Sequence, residues 1–405
     1  MRNTPKKSQG AARTRTEMQT ELVPMSAPDI AEPDIEAVVE VLRSGRLSLG
    51  PKQEQFEQLV ADYVGVEHAV AVSSGTAALH LLTRAYGVGP GDEVLVPSFT
   101  FAASVNCVLY QGATPVFVDI QPDTYNLDPR DMEAKITPRT RAVIPVDVFG
   151  HPADWQEIEQ VARKHGLAMI DDSCEALGAF YRGRPVGSFG NAAAFAFYAN
   201  KQITTGEGGM IATNDGRAAD LCRSWRNQGR GRMGAWLVYE ELGYNYRMTE
   251  MSAALGVSQM LRLDEILKKR AAVAQRYTEY LSQLDWLRPP VVRNYVQPSW
   301  FVYVVTLADG IDREQIIRHL EQRGIPSRAY FPPVHMQPYF RRWQETSKAG
   351  GRWDWRPGSL PVTESISQRT LALPFHTNLT AQEQERVVTT LCEAFAALSG
   401  GGAAS

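Results

Sequence analysis

The sequence predicts an α/β protein in two parts: a large domain on a mostly parallel sheet and a smaller C-terminal α/β domain. Three observations lead there. Short apolar runs alternate with amphipathic segments from Ala69 to Thr213, the pattern of a parallel sheet covered by helices on both faces. The chain has 405 residues, too many for one ordinary core. Past residue 261 the texture changes and a separate set of strand and helix patterns begins. The expected division is therefore 26–261 and 262–405.

Residues 1–25 are basic and polar, with Arg2, Lys6, Lys7, Arg13 and Arg15, and they lack the apolar core of a signal peptide. A disordered tail is expected there, with order beginning near Met25. An organellar transit peptide is the other reading, since acids are absent until Glu17. Pro33 to Leu42 has helical spacing and stops at Gly45. Gly50-Pro51 makes a turn before a second amphipathic helix, Gln53 to Tyr63. Ala69 to Val72 reads as a strand and runs straight into Ser73-Ser-Gly-Thr-Ala-Ala-Leu-His80. Strand, small polar turn and helix together aim free backbone N–H groups at an anion. Ser and Gly serve equally well there as plain caps.

Further strands are expected at 93–96, 114–119, 141–146, 167–170 and 192–197, and helices at 100–110 and 154–165, the second capped by Asp154. Gly209 to Thr213 reads as one more strand. A helix then runs to Gln228, followed by a glycine- and arginine-rich loop over 229–234. Helical periodicity extends from Thr249 to about Leu284. In the C-terminal part a strand is expected at 300–307 and helices at 313–322 and 381–398. The loop from Tyr330 to Pro338 is rich in aromatics and prolines, hence rigid. The tail 400–405 is expected to be disordered.

Composition excludes several functions. Lysine and arginine total 42 against 45 acids, a net charge of −3, so no global basic field invites nucleic acid or an anionic membrane. The 4 cysteines show no metal-site spacing and read as reduced thiols of a cytoplasmic protein. No apolar stretch is long enough to span a bilayer, and no metal site is expected.

The residues that carry chemistry centre on Lys201. An apolar strand leads to this one lysine, and Gly206, Gly208 and Gly209 let the following backbone fold tightly around something. An amine held out of water beside an apolar wall is freed to attack carbonyls. A lone lysine in such a place is also read as one that snorkels out of a loop. Gly75, Asp172 and Lys201 each lie just beyond a strand, where ligands of parallel sheets sit, so they are expected to converge.

Four segments, SSGTAALH (73–80), PGDEVLVPSFTFAAS (90–104), MIDDSCEALGA (169–179) and FYANKQITTGEGGM (197–210), stand in the order of the DegT/StrS family of sugar aminotransferases. GYNYRMTE (243–250) is a fifth, and the resemblance covers nearly everything from residue 26 onward. It implies fold type I and the cofactor pyridoxal 5'-phosphate (PLP). Lys201 matches the family's Schiff-base lysine, and Asp172 the carboxylate that keeps the cofactor's ring nitrogen protonated. A helix cap is the other reading of an aspartate after a strand, and it suits Asp171 better. Gly75, Thr76 and Ala77 match the phosphate-binding turn. Phe101 matches the aromatic that stacks on the cofactor, although a phenylalanine there also reads as core. Asn245 resembles the asparagine sent to the phosphate from a neighbouring subunit, which implies a homodimer.

Two departures stand out. Ala196 occupies the place of a serine that touches the phosphate in many members. Glu175 occupies the place of Gln or His, where a carboxylate would repel the cofactor's phenolate oxygen unless protonated or turned away. His335, Tyr330 and Arg328 lie in or beside a loop that resembles one lining the substrate cleft. Arg226, Arg230, Arg232 and Arg328 are candidate donors to substrate phosphates. A lone histidine such as His335 also reads as structural.

The resemblance implies transfer of an amino group from glutamate to a nucleotide-linked keto sugar, 4-keto-6-deoxy in type. Amination of a keto-cyclitol and PLP-dependent sugar dehydration are the alternatives within the enzyme class. Dehydratases of the superfamily carry His in place of the lysine, and this chain has Lys201. A non-catalytic PLP-binding regulator is the alternative outside it; such proteins call for a fused DNA-binding module, and the basic tail is too short to be one.

Overall fold

The computed structural model describes residues 22–231, 238–347 and 353–400. Helix α1 (Glu32–Ser44) ends on Gly45 at φ 70°, a left-handed stop that glycine takes without strain. Helix α2 (Pro51–Val64) has no cap from its own N-cap residue, Gly50. Glu250 supplies one from far along the chain, its Oε2 and Oε1 accepting from the N–H groups of Lys52 (2.9 Å) and Gln53 (3.0 Å). Strand β1 (His68–Val72) is followed by α3 (Gly75–Ala85), whose N-cap Ser74 Oγ accepts from Ala77 N–H at 3.1 Å.

Then come β2 (Glu93–Pro97), α4 (Ala103–Tyr110), β3 (Thr114–Val118), α5 (Pro129–Ala134), β4 (Thr140–Val143) and α6 (Trp155–His165). After β5 (Ala168–Asp172) and the short β6 (Phe180–Tyr181) and β7 (Arg184–Pro185) come β8 (Ala192–Ala196), β9 (Gly209–Thr213) and α7 (Gly216–Arg226).

Among the described residues the large sheet has seven strands in the order β1-β9-β8-β5-β4-β2-β3. The pairings β2–β3, β2–β4, β4–β5 and β5–β8 are parallel, while β9 runs antiparallel to both its neighbours. The mostly parallel sheet expected from the alternation is there, and its one reversed strand is β9. Every strand position of β2, β8's first four residues and β9 is buried, as a sheet covered on both faces requires.

Helices α8 (Glu250–Leu261) and α9 (Leu263–Leu281) follow, where the sequence suggested one continuous period. The chain turns at Arg262 because its guanidinium is held from the side: Nη2 meets Asp29 Oδ1 at 2.6 Å and Nη1 meets Asp34 Oδ2 at 2.7 Å. The remaining elements are β10 (Leu287–Arg288), β11 (Val296–Gln297), β12 (Tyr303–Leu307), α10 (Arg313–Gln322), β13 (Arg328–Ala329), α11 (Pro338–Thr346), α12 (Pro361–Arg369), β14 (Thr370–Leu373) and α13 (Ala381–Gly400). An antiparallel sheet of order β10-β12-β14-β13 backs the C-terminal core, and β11-β6-β7 form a small third sheet.

Three apolar cores position the site. One fills the large sheet with α3, α4 and α6; a second lies under α10 and α13 and includes Tyr277, Tyr303, Ile316 and Leu391. The third joins the two parts through Phe99, Val146, Phe149, Phe301 and Phe331. Helix α9 contributes Leu263 and Ile266 to a cluster on the large sheet, and Val273 and Tyr277 to the C-terminal core.

The structure corrects two expectations here. Residues 22–25, assigned to the disordered tail, are ordered: Val23 is buried in the C-terminal core and donates to Gly324 O at 3.0 Å. An apolar residue at the end of a polar run finds a hydrophobic slot that sequence alone does not reveal. Residues 1–21 and 401–405 of the expected tails, and Arg232, lie outside the described residues. Asp154 does precede α6, but its carboxylate caps nothing; it accepts from Gln121 Nε2 (2.8 Å) and Tyr295 OH (2.9 Å) instead. Among the described residues no helix is long and apolar enough to cross a membrane.

Candidate active site

The carboxyl ends of β1, β5 and β8 open onto a cavity of about 540 Å³ that is lined by Gly75, Thr76, Phe101, Asp172, Glu175 and Lys201, with Tyr330 and Phe331 reaching it from the C-terminal part. Segments distant in sequence thus converge as strand-end positions should.

Asp172 ends β5, and the alternation of side chains along the strand sends it and Asp171 to opposite faces. Asp172 faces the cavity. Its Oδ2 accepts from Ser104 Oγ of α4 at 2.6 Å and its Oδ1 from Cys174 N–H at 3.2 Å, so both oxygens are oriented before any ligand arrives. Asp171 is fully buried on the other face, where Gly187 N–H donates to its Oδ2 at 3.2 Å.

Lys201 sits in the tight loop between β8 and β9. The loop is tied by Phe197 N–H to Gly208 O at 2.9 Å and Thr205 N–H to Phe197 O at 3.0 Å. Lys201 Nζ lies 3.7 Å from Glu175 Oε1 and 3.8 Å from the centroid of the Phe301 ring. This lysine points inward, with 13 % of its side chain exposed, and the snorkelling alternative does not hold.

Glu175 resolves one of the two departures. Its Oε2 accepts from Phe149 N–H at 2.9 Å, which turns that oxygen away from the cavity. Burial raises its pKa, opposed by the charge of Lys201, so the protonated form is favoured over that of an ordinary glutamate. The other departure, Ala196, packs directly against Gly75. A Cβ added at Gly75 would stand 2.7 Å from Ala196 Cβ and 2.8 Å from Cys174 Sγ, so backbone and strand already touch there. Gly209 is just as constrained, since a Cβ there would strike Ser74 C and O.

Phe101 is 65 % exposed and stands at the cavity rather than in a core. Ala77 is not among the lining residues; it is buried and its N–H is taken by the Ser74 cap. Asn245 is exposed and forms a bridge with Asn227, outside the cavity lining of its own chain.

The arginine and histidine expectations need correction. His335 is buried, with Nδ1 2.7 Å from Ser98 Oγ and Nε2 3.3 Å from Glu364 Oε1. Both ring nitrogens are engaged by protein and burial lowers its pKa, so it is a core histidine. Arg328 pairs with Glu321 at 2.6 Å on the surface. Arg226 is buried against Glu57 at 2.5 Å. Arg230 lies 5.7 Å from the Tyr239 ring, and none of these arginines lines the cavity. Among the described residues Lys201 is the lining's one cation.

Sequence reading missed Ser104, Tyr198, Asn200 and Phe301. Ser104, Tyr198 and Asn200 fall inside the segments 90–104 and 197–210, so their places carry a signal. Phe301 carries no signal beyond opening a strand.

These residues fit PLP. The first turn of α3 offers backbone N–H groups at the cavity edge, Asp172 offers an oriented carboxylate, and Phe101 an uncovered ring. Asn200 Oδ1, also at the lining, is buried with no hydrogen-bond partner and so has acceptor capacity to give.

Comparison with known proteins agrees. The model of the DegT/DnrJ/EryC1/StrS aminotransferase family matches residues 28–392, and the chain belongs to that family. It is 42 % identical over 347 residues to GDP-perosamine synthase of Caulobacter vibrioides, covering 85 % of this chain and 90 % of the relative. DesV of S. venezuelae, solved with a ketimine intermediate, superposes with TM-score 0.82 at 38 % identity, covering 89 % of this chain and 93 % of that one. The PLP form of Spr1654 from Streptococcus pneumoniae gives TM-score 0.85 at 29 % identity, over 92 % and 98 % of the two chains. The fold is thus that of the fold type I sugar aminotransferases, and the chain is a sugar aminotransferase.

Proposed function

We propose that this chain moves an amino group from glutamate to a nucleotide-linked keto sugar. Its cofactor is pyridoxal phosphate. The observation that carries the reading is the convergence of Lys201, Asp172, Phe101 and the start of α3 on one cavity. When bound, the cofactor supplies a conjugated ring that takes up the electron pair left as a proton leaves the substrate carbon. Lys201 would hold the cofactor at Nζ, and its amine would serve as the base that takes up and returns a proton at the substrate carbon. Asp172, braced by Ser104, keeps the ring nitrogen protonated. Gly75 and Thr76 receive the phosphate at the helix N-terminus, and Phe101 covers the ring. Asn245, exposed on its own subunit, reaches the neighbouring cofactor in a homodimer.

The acceptor we propose is a 4-keto-6-deoxy sugar aminated at C4. Similarity to a GDP-perosamine synthase supports a nucleotide-linked substrate. One observation favours a second reading, a small keto-cyclitol: of the arginines expected to hold a diphosphate, the described ones, Arg226, Arg230 and Arg328, do not line the cavity. Incubating the PLP-loaded protein with glutamate and a panel of nucleotide-linked keto sugars, read by mass spectrometry, tests both. Inhibition by nucleoside diphosphates is expected. Turnover of free keto-inositols without such inhibition overturns the sugar-nucleotide reading and leaves the amino transfer standing.

A further inference from the structure

Arg270 lies midway along α9 and is 3 % exposed. Burial lowers its pKa to about 10, so it remains charged at neutral pH. Its hydrogen bonds among the described residues all end on backbone carbonyl oxygens. Nη1 donates to Trp300 O (3.1 Å) and Phe301 O (3.3 Å), and Nη2 to Lys201 O (2.7 Å) and Asn200 O (3.5 Å). One planar fork therefore fastens the Lys201 loop to the run-in of β12.

The two segments it joins already enclose the lysine. Phe301's ring lies against Lys201 Nζ, and Phe301 N–H donates to Phe149 O at 3.1 Å. Phe149 N–H holds Glu175, which is the carboxyl beside Lys201 Nζ. The circuit returns to its start. Gln202 Nε2 reinforces it, donating to Glu175 O (2.5 Å) and Ser299 Oγ (2.8 Å). Phe149 and Trp300 are held at φ 59° and 55°, conformations that non-glycine residues keep only where neighbours impose them.

We propose that Arg270 is a positioning residue for the lysine chemistry. Its guanidinium fixes the Lys201 backbone against Phe301, so that Nζ stays between the Phe301 ring and Glu175. The inference rests on Lys201 being the cofactor lysine. A lysine cannot replace the arginine, because a compact ammonium lacks the flat fork that spans carbonyls of two segments. A merely structural arginine would affect stability and nothing else.

The test uses PLP-loaded wild type, Arg270→Lys, Arg270→Met, Phe301→Leu and the Arg270→Lys/Phe301→Leu double variant. Borohydride reduction with peptide mapping is done first on wild type. A label away from Lys201 overturns the reading and this inference with it. With the label at Lys201, three measurements follow: the pH midpoint of the cofactor's visible absorbance, the single-turnover rate with saturating glutamate, and the melting temperature. Arg270→Lys is expected to move the midpoint by roughly half a pH unit or more. It should also slow the single turnover at saturating glutamate by about tenfold or more. The rate losses of Arg270→Lys and Phe301→Leu should be less than multiplicative in the double variant, because both loosen the same enclosure. Should Arg270→Met fail to fold, the lysine and double variants decide. A lowered melting temperature with wild-type midpoint and rate, or fully multiplicative losses, overturns the inference and leaves the function untouched.

Discussion

Asp172 and Asp171 are adjacent, yet the strand sends them to different chemistries. Asp172 is held by Ser104 and faces the cavity. Asp172→Asn should leave the melting temperature near wild type, since the amide oxygen can still accept from Cys174 N–H and the amide NH2 can donate to Ser104 Oγ, a hydroxyl that turns to accept. Its turnover should fall by roughly 10²-fold or more, because a neutral amide cannot stabilise a protonated ring nitrogen. Near-normal turnover would move the role elsewhere. Asp171 instead faces Asp147, and both are fully buried. Burial pushes Asp147 up to about 6, and burial together with Asp147 pushes Asp171 well above the usual carboxylate range. The sign follows. As pH rises from about 3.8 through about 6, the unfolded chain releases these protons first, so this pair's contribution to stability is present at low pH and is lost on the way up. Asp171→Asn should therefore flatten the melting temperature against pH over that window. Equal slopes for wild type and variant would show that the pair does not hold its proton.

Among the elements, the junction of α8 and α9 depends most on distant partners. Arg262 joins it to Asp29 and Asp34, and Gln259 Nε2 adds bonds to Asp29 O and Asp34 Oδ2, both at 2.8 Å. Arg262→Ala leaves Asp34, 1 % exposed, without its cation and should destabilise by about 3 kcal/mol, seen in denaturant unfolding. A change under about 0.5 kcal/mol would mean that Gln259 alone suffices. The same junction shows where sequence reading stops. Helical period continues across Leu261-Arg262-Leu263, and only the third-dimension partners of Arg262 break it. By contrast α10 was legible to the residue, because Asp312 caps it with Oδ1 to Gln315 N–H at 3.0 Å and its apolar face is regular. At the site, Lys201, Asp172, Gly75 and Phe101 were legible because each stands in a motif beside a strand end. His335 misled, since an aromatic, proline-rich neighbourhood looks the same from sequence whether it lines a cleft or a core. Arg270 was invisible, because it acts on backbone carbonyls, which every residue possesses.

For the whole molecule, Asn245 is exposed and stands outside the lining of the cavity that holds its own subunit's Lys201. Mixing Lys201→Ala with Asn245→Ala protein should restore activity, because a heterodimer then holds one complete site. Proven subunit exchange without recovery would refute the shared site.

The reversed strand β9 has a consequence for how the protein is made. At the sheet's edge β1 has β9 as its neighbour, and Gly209 packs directly behind Ser74 at the head of α3. A ribosome delivers β1, α3 and even Lys201 before the strand that completes their surroundings. Until β9 emerges, β1 is an unpaired edge and the turn at Ser74-Gly75 lacks the wall that Gly209 gives it. The cavity is thus a late product of translation: β9 closes one side of it, and Phe301, Tyr330 and Phe331 complete the lining later still.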